Sequence, residues 1–105
     1  MIEIVREHME ELEQLCRKFR VKRLDLFGSA ATHEFDPVES DLDFLVEFQP
    51  DEDMNPADQY FGLLEELERL FGRGVDLVMV RAMRNPYFIE AVNKTRRTVY
   101  ATQDA

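Results

Sequence analysis

The sequence predicts a small α/β domain of the α+β kind, with residues 1–105 as one unit. Three observations predict it. Apolar residues recur at spacings of three and four in two long stretches, as amphipathic helices require. Between those stretches, "DLDFLVEF" at Asp41–Phe48 alternates strictly, as a strand with one buried face does. The elements then run helix, strand, strand, helix, strand, helix, an order that interleaves the two types. A chain of 105 residues is long enough for one hydrophobic core and too short for two.

The first element, Ile2 to about Phe19, places Ile2, Val5, Met9, Leu12, Leu15, Cys16 and Phe19 on one stripe of a helix. Basic residues from Arg17 onward complement the dipole at its C-terminal end. "VKRLDLF", Val21–Phe27, reads as the first strand. Gly28-Ser29 interrupts it, and "SAATHEF" suits a short helical turn with Ser29 near its N-cap. "DPVES" reads as a turn, because Pro37 restricts Asp36 to an extended conformation. The second strand is Asp41–Phe48, with Leu42, Phe44, Val46 and Phe48 facing the core and Asp41, Asp43, Leu45 and Glu47 on the other face. A second helix is predicted from about Pro56 to Phe71, with Gly72 and Gly74 as stop signals. "VDLVMV", Val75–Val80, reads as a third strand with Asp76 inside it. Pro86 opens a third helix to about Asn93, and "RTVYA" either adds a short strand or docks. The first two strands are expected to be antiparallel neighbours, with the third joined through a helical crossover.

Charge and composition exclude several classes. Thirteen Lys and Arg against 22 Asp and Glu give a net charge of −9. That argues against broad nonspecific binding to DNA or RNA, where Lys and Arg supply the affinity. It does not argue against a nucleotide, since a bound divalent cation reverses the local sign. Cys16 is the one cysteine, so an internal disulfide is excluded. No run of 18 apolar residues predicts a membrane span, and the acidic N-terminus lacks the pattern of a signal peptide. A cytoplasmic protein is the simplest expectation.

Chemistry concentrates in the second and third strands. Residues two apart on a strand project from the same face, roughly 6.5–7 Å apart. Asp41 and Asp43 therefore point the same way, and Asp76 joins them if the third strand lies beside the second. Three converging carboxylates suit a hard divalent cation such as Mg²⁺, which shares its shell with phosphate oxygens. Two such ions about 3.5–4 Å apart can bind the attacking and leaving oxygens of a phosphoryl displacement. Gly28 lets backbone approach a phosphate, and Ser29 adds a hydroxyl donor at the start of a helical turn. Taken singly, each residue has a plainer reading: solvent-facing strand acids for Asp41 and Asp43, a turn cap for Asp76, a helix N-cap for Ser29. His33 and Glu34 read as exposed loop residues, Glu47 as a solvated or paired acid, and Cys16 as a small core residue.

"LFGSA", "SDLDFLVEF" and "GRGVDLVMV", with the "RTVYA" ending, resemble the minimal nucleotidyltransferases of the DNA polymerase beta superfamily. The resemblance covers most of the chain. It implies a mixed sheet with flanking helices, with Gly28 and Ser29 holding the triphosphate of ATP. It implies that Asp41 and Asp43 ligate two Mg²⁺ ions and that Asp76 ligates the catalytic one and helps activate an acceptor hydroxyl. Stand-alone members of this size resemble antitoxins paired with HEPN-domain toxins. Some of these transfer AMP to a tyrosine of the toxin and so silence its ribonuclease activity. A hetero-oligomer with such a toxin is thus implied. The rival reading is an antitoxin that neutralises by binding alone; a small-molecule transferase would need a substrate domain that this length does not supply.

Two departures from the family pattern stand out. Eleven residues, Ala30 to Ser40, separate Ser29 from Asp41, where ten are usual. Ala30 stands where the family often has arginine, and His33 stands near a glycine position. The extra loop residue costs little. The absent arginine removes a charge from the phosphate site and points to weaker or altered activity.

Overall fold

The structure is a computed structural model that describes residues 3–31, 41–50 and 52–102, with the Ser29 and Ala30 side chains left out. The expected helix start at Ile2, the turn at 36–40, and His33 and Glu34 lie outside these residues.

Two helices replace the single one expected at the start: α1 (Glu3–Arg6) and α2 (Met9–Lys18). The break has a local cause. The His8 ring donates from Nδ1 to the Ile4 carbonyl at 2.7 Å, and the His8 amide turns to Val5 O instead, at 3.1 Å. A side chain thus competes with the backbone for one helical acceptor. The apolar stripe survives the break, since Val5, Leu12 and Cys16 are all fully buried.

Strand β1 (Val21–Phe27) leads into a short 3₁₀ turn at Gly28–Ala31. Strand β2 covers Leu42–Phe48, so Asp41 stands one residue before it. Helix α3 (Pro56–Phe71) has the predicted bounds because both ends are coded. Asn55 Oδ1 accepts from the Ala57 amide at 2.8 Å, Pro56 takes the first position, and Gly72 ends the helix at φ 63°. Strand β3 is Val75–Met79; Val80, expected in the strand, belongs to the 3₁₀ turn Val80–Ala82. Helix α4 (Pro86–Thr95) runs two residues past the expected end, and "RTVYA" forms a true strand, β4 (Arg97–Ala101).

The sheet order is β3-β2-β1-β4. β1 is antiparallel to both β2 and β4, while β2 and β3 are parallel, the relation that a crossover through α3 produces. Helices cover both faces. Leu24, Leu26, Leu42, Phe44 and Val46 pack with Leu12, Cys16, Leu63 and Leu67 on one side. Phe27 and Leu45 pack with Val92 of α4 on the other. Burial pushes the Cys16 thiol up to about 12, with Glu13 adding to the shift, so the thiol is an inert core group. No helix among the described residues is long and apolar enough to cross a membrane.

Candidate active site

The register decides which acids meet. Asp43 of β2 lies opposite Phe27 of β1 on one side and opposite Asp76 of β3 on the other. Laterally paired residues share a face, so Asp43 and Asp76 project together from strands roughly 4.8 Å apart. Asp41 precedes them by one pleat. The conditional expectation for Asp76 is therefore met: β3 does lie beside β2.

Two glycines shape where the carboxylates rest. Gly28 follows Phe27 directly and has φ +72°; a Cβ built on it would stand 2.6 Å from Asp43 Oδ2. A Cβ on Gly74, just before β3, would stand 2.7 Å from Asp41 Oδ1. Asp43 thus leans over β1 and Asp41 over the approach to β3. The two side chains therefore rest against different segments. Among the described residues, no group of three acidic, histidine or cysteine side chains is gathered closely enough to hold a metal ion.

The three acids nevertheless share one electrostatic field. The Asp43 carboxyl is pushed up from 3.8 to about 6, first by burial, then by Asp76 and Asp41. Asp41 and Asp76 are exposed, while Asp43 is half-buried. Hard oxygen donors in a shared negative field are the donor chemistry that Mg²⁺ takes, so the residues fit the ion. A raised acid pKa also has a sign for stability. Its contribution is present below 3.8 and is lost as pH rises through about 6. Asp43→Asn should therefore stabilise the metal-free protein at pH 7.5, by about 1 kcal/mol after allowance for solvent screening. Urea denaturation checks this: the gain should shrink at pH 5, and added Mg²⁺ should stabilise the wild type selectively.

The Gly28 amide donates to Thr95 Oγ1 at 3.0 Å, a link between β1 and the end of α4. Ser29 has its backbone in the 3₁₀ turn; its hydroxyl is not among the described atoms. Glu47 lies at the far end of β2, lining a cavity of about 290 Å³ with Gln59 and Arg81, away from the other acids.

Two residues near the site escape sequence reasoning. The Tyr60 hydroxyl donates to the Leu77 carbonyl at 2.6 Å, beside Asp76; burial, and then Asp76, raise its pKa. In the sequence Tyr60 is only one more residue of the α3 stripe. Asp25 is the second. It sits inside a core strand just as Asp43 does, yet it is fully buried and held by two arginines. Arg23 Nε donates to Oδ1 at 3.0 Å, and Arg96 Nε and Nη2 reach Oδ2 at 2.7 and 2.6 Å. Arg23, two residues earlier in β1, and Arg96, just before β4, supply the compensating charge.

The family model of the nucleotidyltransferase domain matches residues 8–99. The chain belongs to the nucleotidyltransferase domain family. It is 39% identical over 93 residues to a Methanocaldococcus jannaschii protein whose name assigns it to the protein adenylyltransferases; the match covers 88% of this chain and 87% of that one. A solved structure assigned to the minimal nucleotidyltransferases is 30% identical with a TM-score of 0.71, over 91% of this chain and 95% of that one. The fold also matches a structure of a tri-AMPylated Shewanella oneidensis HEPN toxin in complex with its MNT antitoxin. There the TM-score is 0.64 at 19% identity, over 94% of this chain and 74% of the other. That last likeness is one of fold. The mixed four-stranded sheet with flanking helices of the present chain matches the fold of that solved minimal nucleotidyltransferase.

Proposed function

We propose that this nucleotidyltransferase transfers AMP from ATP to a hydroxyl, a tyrosine of a HEPN-domain ribonuclease, and so acts as that toxin's antitoxin. The single observation that carries the reading is the pairing of Asp43 with Asp76 on adjacent strands, directly beside Gly28. The family membership, the adenylyltransferase relative and the fold of the HEPN-bound antitoxin support it.

In this reading Asp41, Asp43 and Asp76 hold two Mg²⁺ ions. When bound, these neutralise charge on the phosphates and on the oxygens that attack and leave. The chain's own groups do the rest. Gly28 and Ser29 hold the triphosphate against the end of β1, close to Asp43. Asp76, exposed on β3, takes the phenolic proton. The phenolic oxygen forms a bond to the α-phosphorus, the bond from α-phosphorus to the bridging oxygen breaks, and pyrophosphate leaves with its electron pair. Positioning and preorganised charge supply most of the acceleration.

A second reading, neutralisation by binding alone, is favoured by one observation: the carboxylates rest on separate glycines rather than in one ligating group. Mass spectrometry separates the two. The protein is mixed with ATP, Mg²⁺ and a HEPN-domain protein from the neighbouring reading frame. A gain of one or more AMP groups on a HEPN tyrosine supports transfer. Inhibition of the ribonuclease with no mass change supports masking and removes the catalytic reading.

A further inference from the structure

Gly28 has a left-handed backbone, one of several conformations open to glycine. Something must select it, because the amides of the 3₁₀ turn that follows inherit their direction from it. The selecting contact comes from outside the sheet. The Gly28 N–H donates to Thr95 Oγ1 at 3.0 Å. Thr95 is the last residue of α4, and its hydroxyl lies 3.4 and 3.5 Å from the Ala91 and Val92 carbonyls. The oxygen thus accepts from Gly28 while its proton faces the helix. The surroundings hold this oxygen in place. Arg96, the next residue, is bonded to buried Asp25, three residues before Gly28. Val92 packs on Phe27, and the Phe88 ring meets the Phe27 ring edge-on at 6.0 Å. α4 and the Arg96 that follows it therefore grip β1 at Asp25, Phe27 and Gly28, and Thr95 is the contact that reaches the glycine itself.

We propose that Thr95 is a positioning residue for the nucleotide cradle. It fixes the left-handed Gly28 so that the turn is already shaped for the triphosphate before the nucleotide arrives. This rests on the nucleotidyltransferase reading above. Preorganisation of this kind appears in binding, since the cost of ordering the loop is met during folding rather than at each encounter. Valine has threonine's shape without the hydroxyl, and serine keeps the hydroxyl, so the pair isolates the hydrogen bond.

The test measures the dissociation constant for a nonhydrolysable ATP analogue with Mg²⁺, and KM and kcat for transfer, well below each variant's melting temperature. Thr95→Val should weaken analogue binding and raise KM about five- to tenfold, the effect of one lost hydrogen bond, with kcat changed less than about twofold. Thr95→Ser should stay within about twofold of wild type for both. A residue that only stabilised the fold would lower the melting temperature without moving binding. Thr95→Val that binds as tightly as wild type overturns the proposal, and so does Thr95→Ser that is as weak as Thr95→Val. If Thr95→Val does not fold, Thr95→Ala replaces it with the same expected readings. Wild-type protein that binds no analogue sinks the nucleotidyl-transfer reading and this proposal with it. Wild-type binding beside an unaffected variant sinks this proposal alone.

Discussion

Replacing both Asp41 and Asp43 by asparagine should abolish AMP transfer, with labelling from radioactive ATP down by at least about a thousandfold. The substitutions are nearly isosteric, and neither side chain is fully buried, so the fold should persist. Asparagine keeps an oxygen but loses the charge that a hard cation demands. The variant should still bind a HEPN partner in a pull-down, since the change removes no apolar surface. Labelling that survives unchanged would end the catalytic reading. Labelling that vanishes while binding and ribonuclease inhibition both persist would show that masking alone suffices.

The second large effect concerns stability. Arg96→Met should cost about 3 kcal/mol, read as a lower urea midpoint, because it leaves the buried Asp25 carboxylate short of a partner. The side chain of Asp25 is 1% exposed, while that of Arg96 is 26% exposed and that of Arg23 46% exposed. Arg96 is therefore the better-shielded partner, and it makes the two shorter contacts. Asp25→Asn should cost less than Arg96→Met, because it removes the charge together with its need for compensation. The opposite order would mean that Arg23 alone compensates Asp25. The Arg96 contact also ties the start of β4 to β1, alongside Arg23 Nη2 donating to Thr98 Oγ1 at 2.9 Å.

Legibility in the sequence followed the range of the interactions involved. α3, expected from about Pro56 to Phe71, was readable because its ends are encoded locally, by Pro56 at the start and Gly72 at the stop. The interior of β2 was readable because its two faces meet different surroundings, and alternation records that directly. The break at His8 was not readable. It depends on a ring nitrogen taking the Ile4 carbonyl, and periodicity carries no trace of that choice. β4 was ambiguous, since five residues with one buried position make a weak pattern, and its pairing with β1 is a long-range event.

The site divided along the same line. That Asp41 and Asp43 share a face follows from the pleat alone. That Asp76 joins them needed the strand order, which the crossover through α3 supplied. The lean of each carboxylate was beyond reach, because it depends on Gly28 and Gly74, which lie on other segments. Asp25 shows the limit of arguing from an acid in a core strand. It has the same sequence signature as Asp43 and serves an ion pair instead. What separates the two is the company each keeps: guanidinium groups around Asp25, further carboxylates around Asp43.

The most direct measurement is a crystal grown with Mn²⁺ and a nonhydrolysable ATP analogue, with anomalous scattering recorded at the manganese edge. The account predicts anomalous peaks within coordination distance of Asp41, Asp43 and Asp76, with the triphosphate lying along Gly28 and Ser29. Ordered nucleotide with no anomalous peak at those three carboxylates, or peaks held elsewhere on the chain, would contradict it.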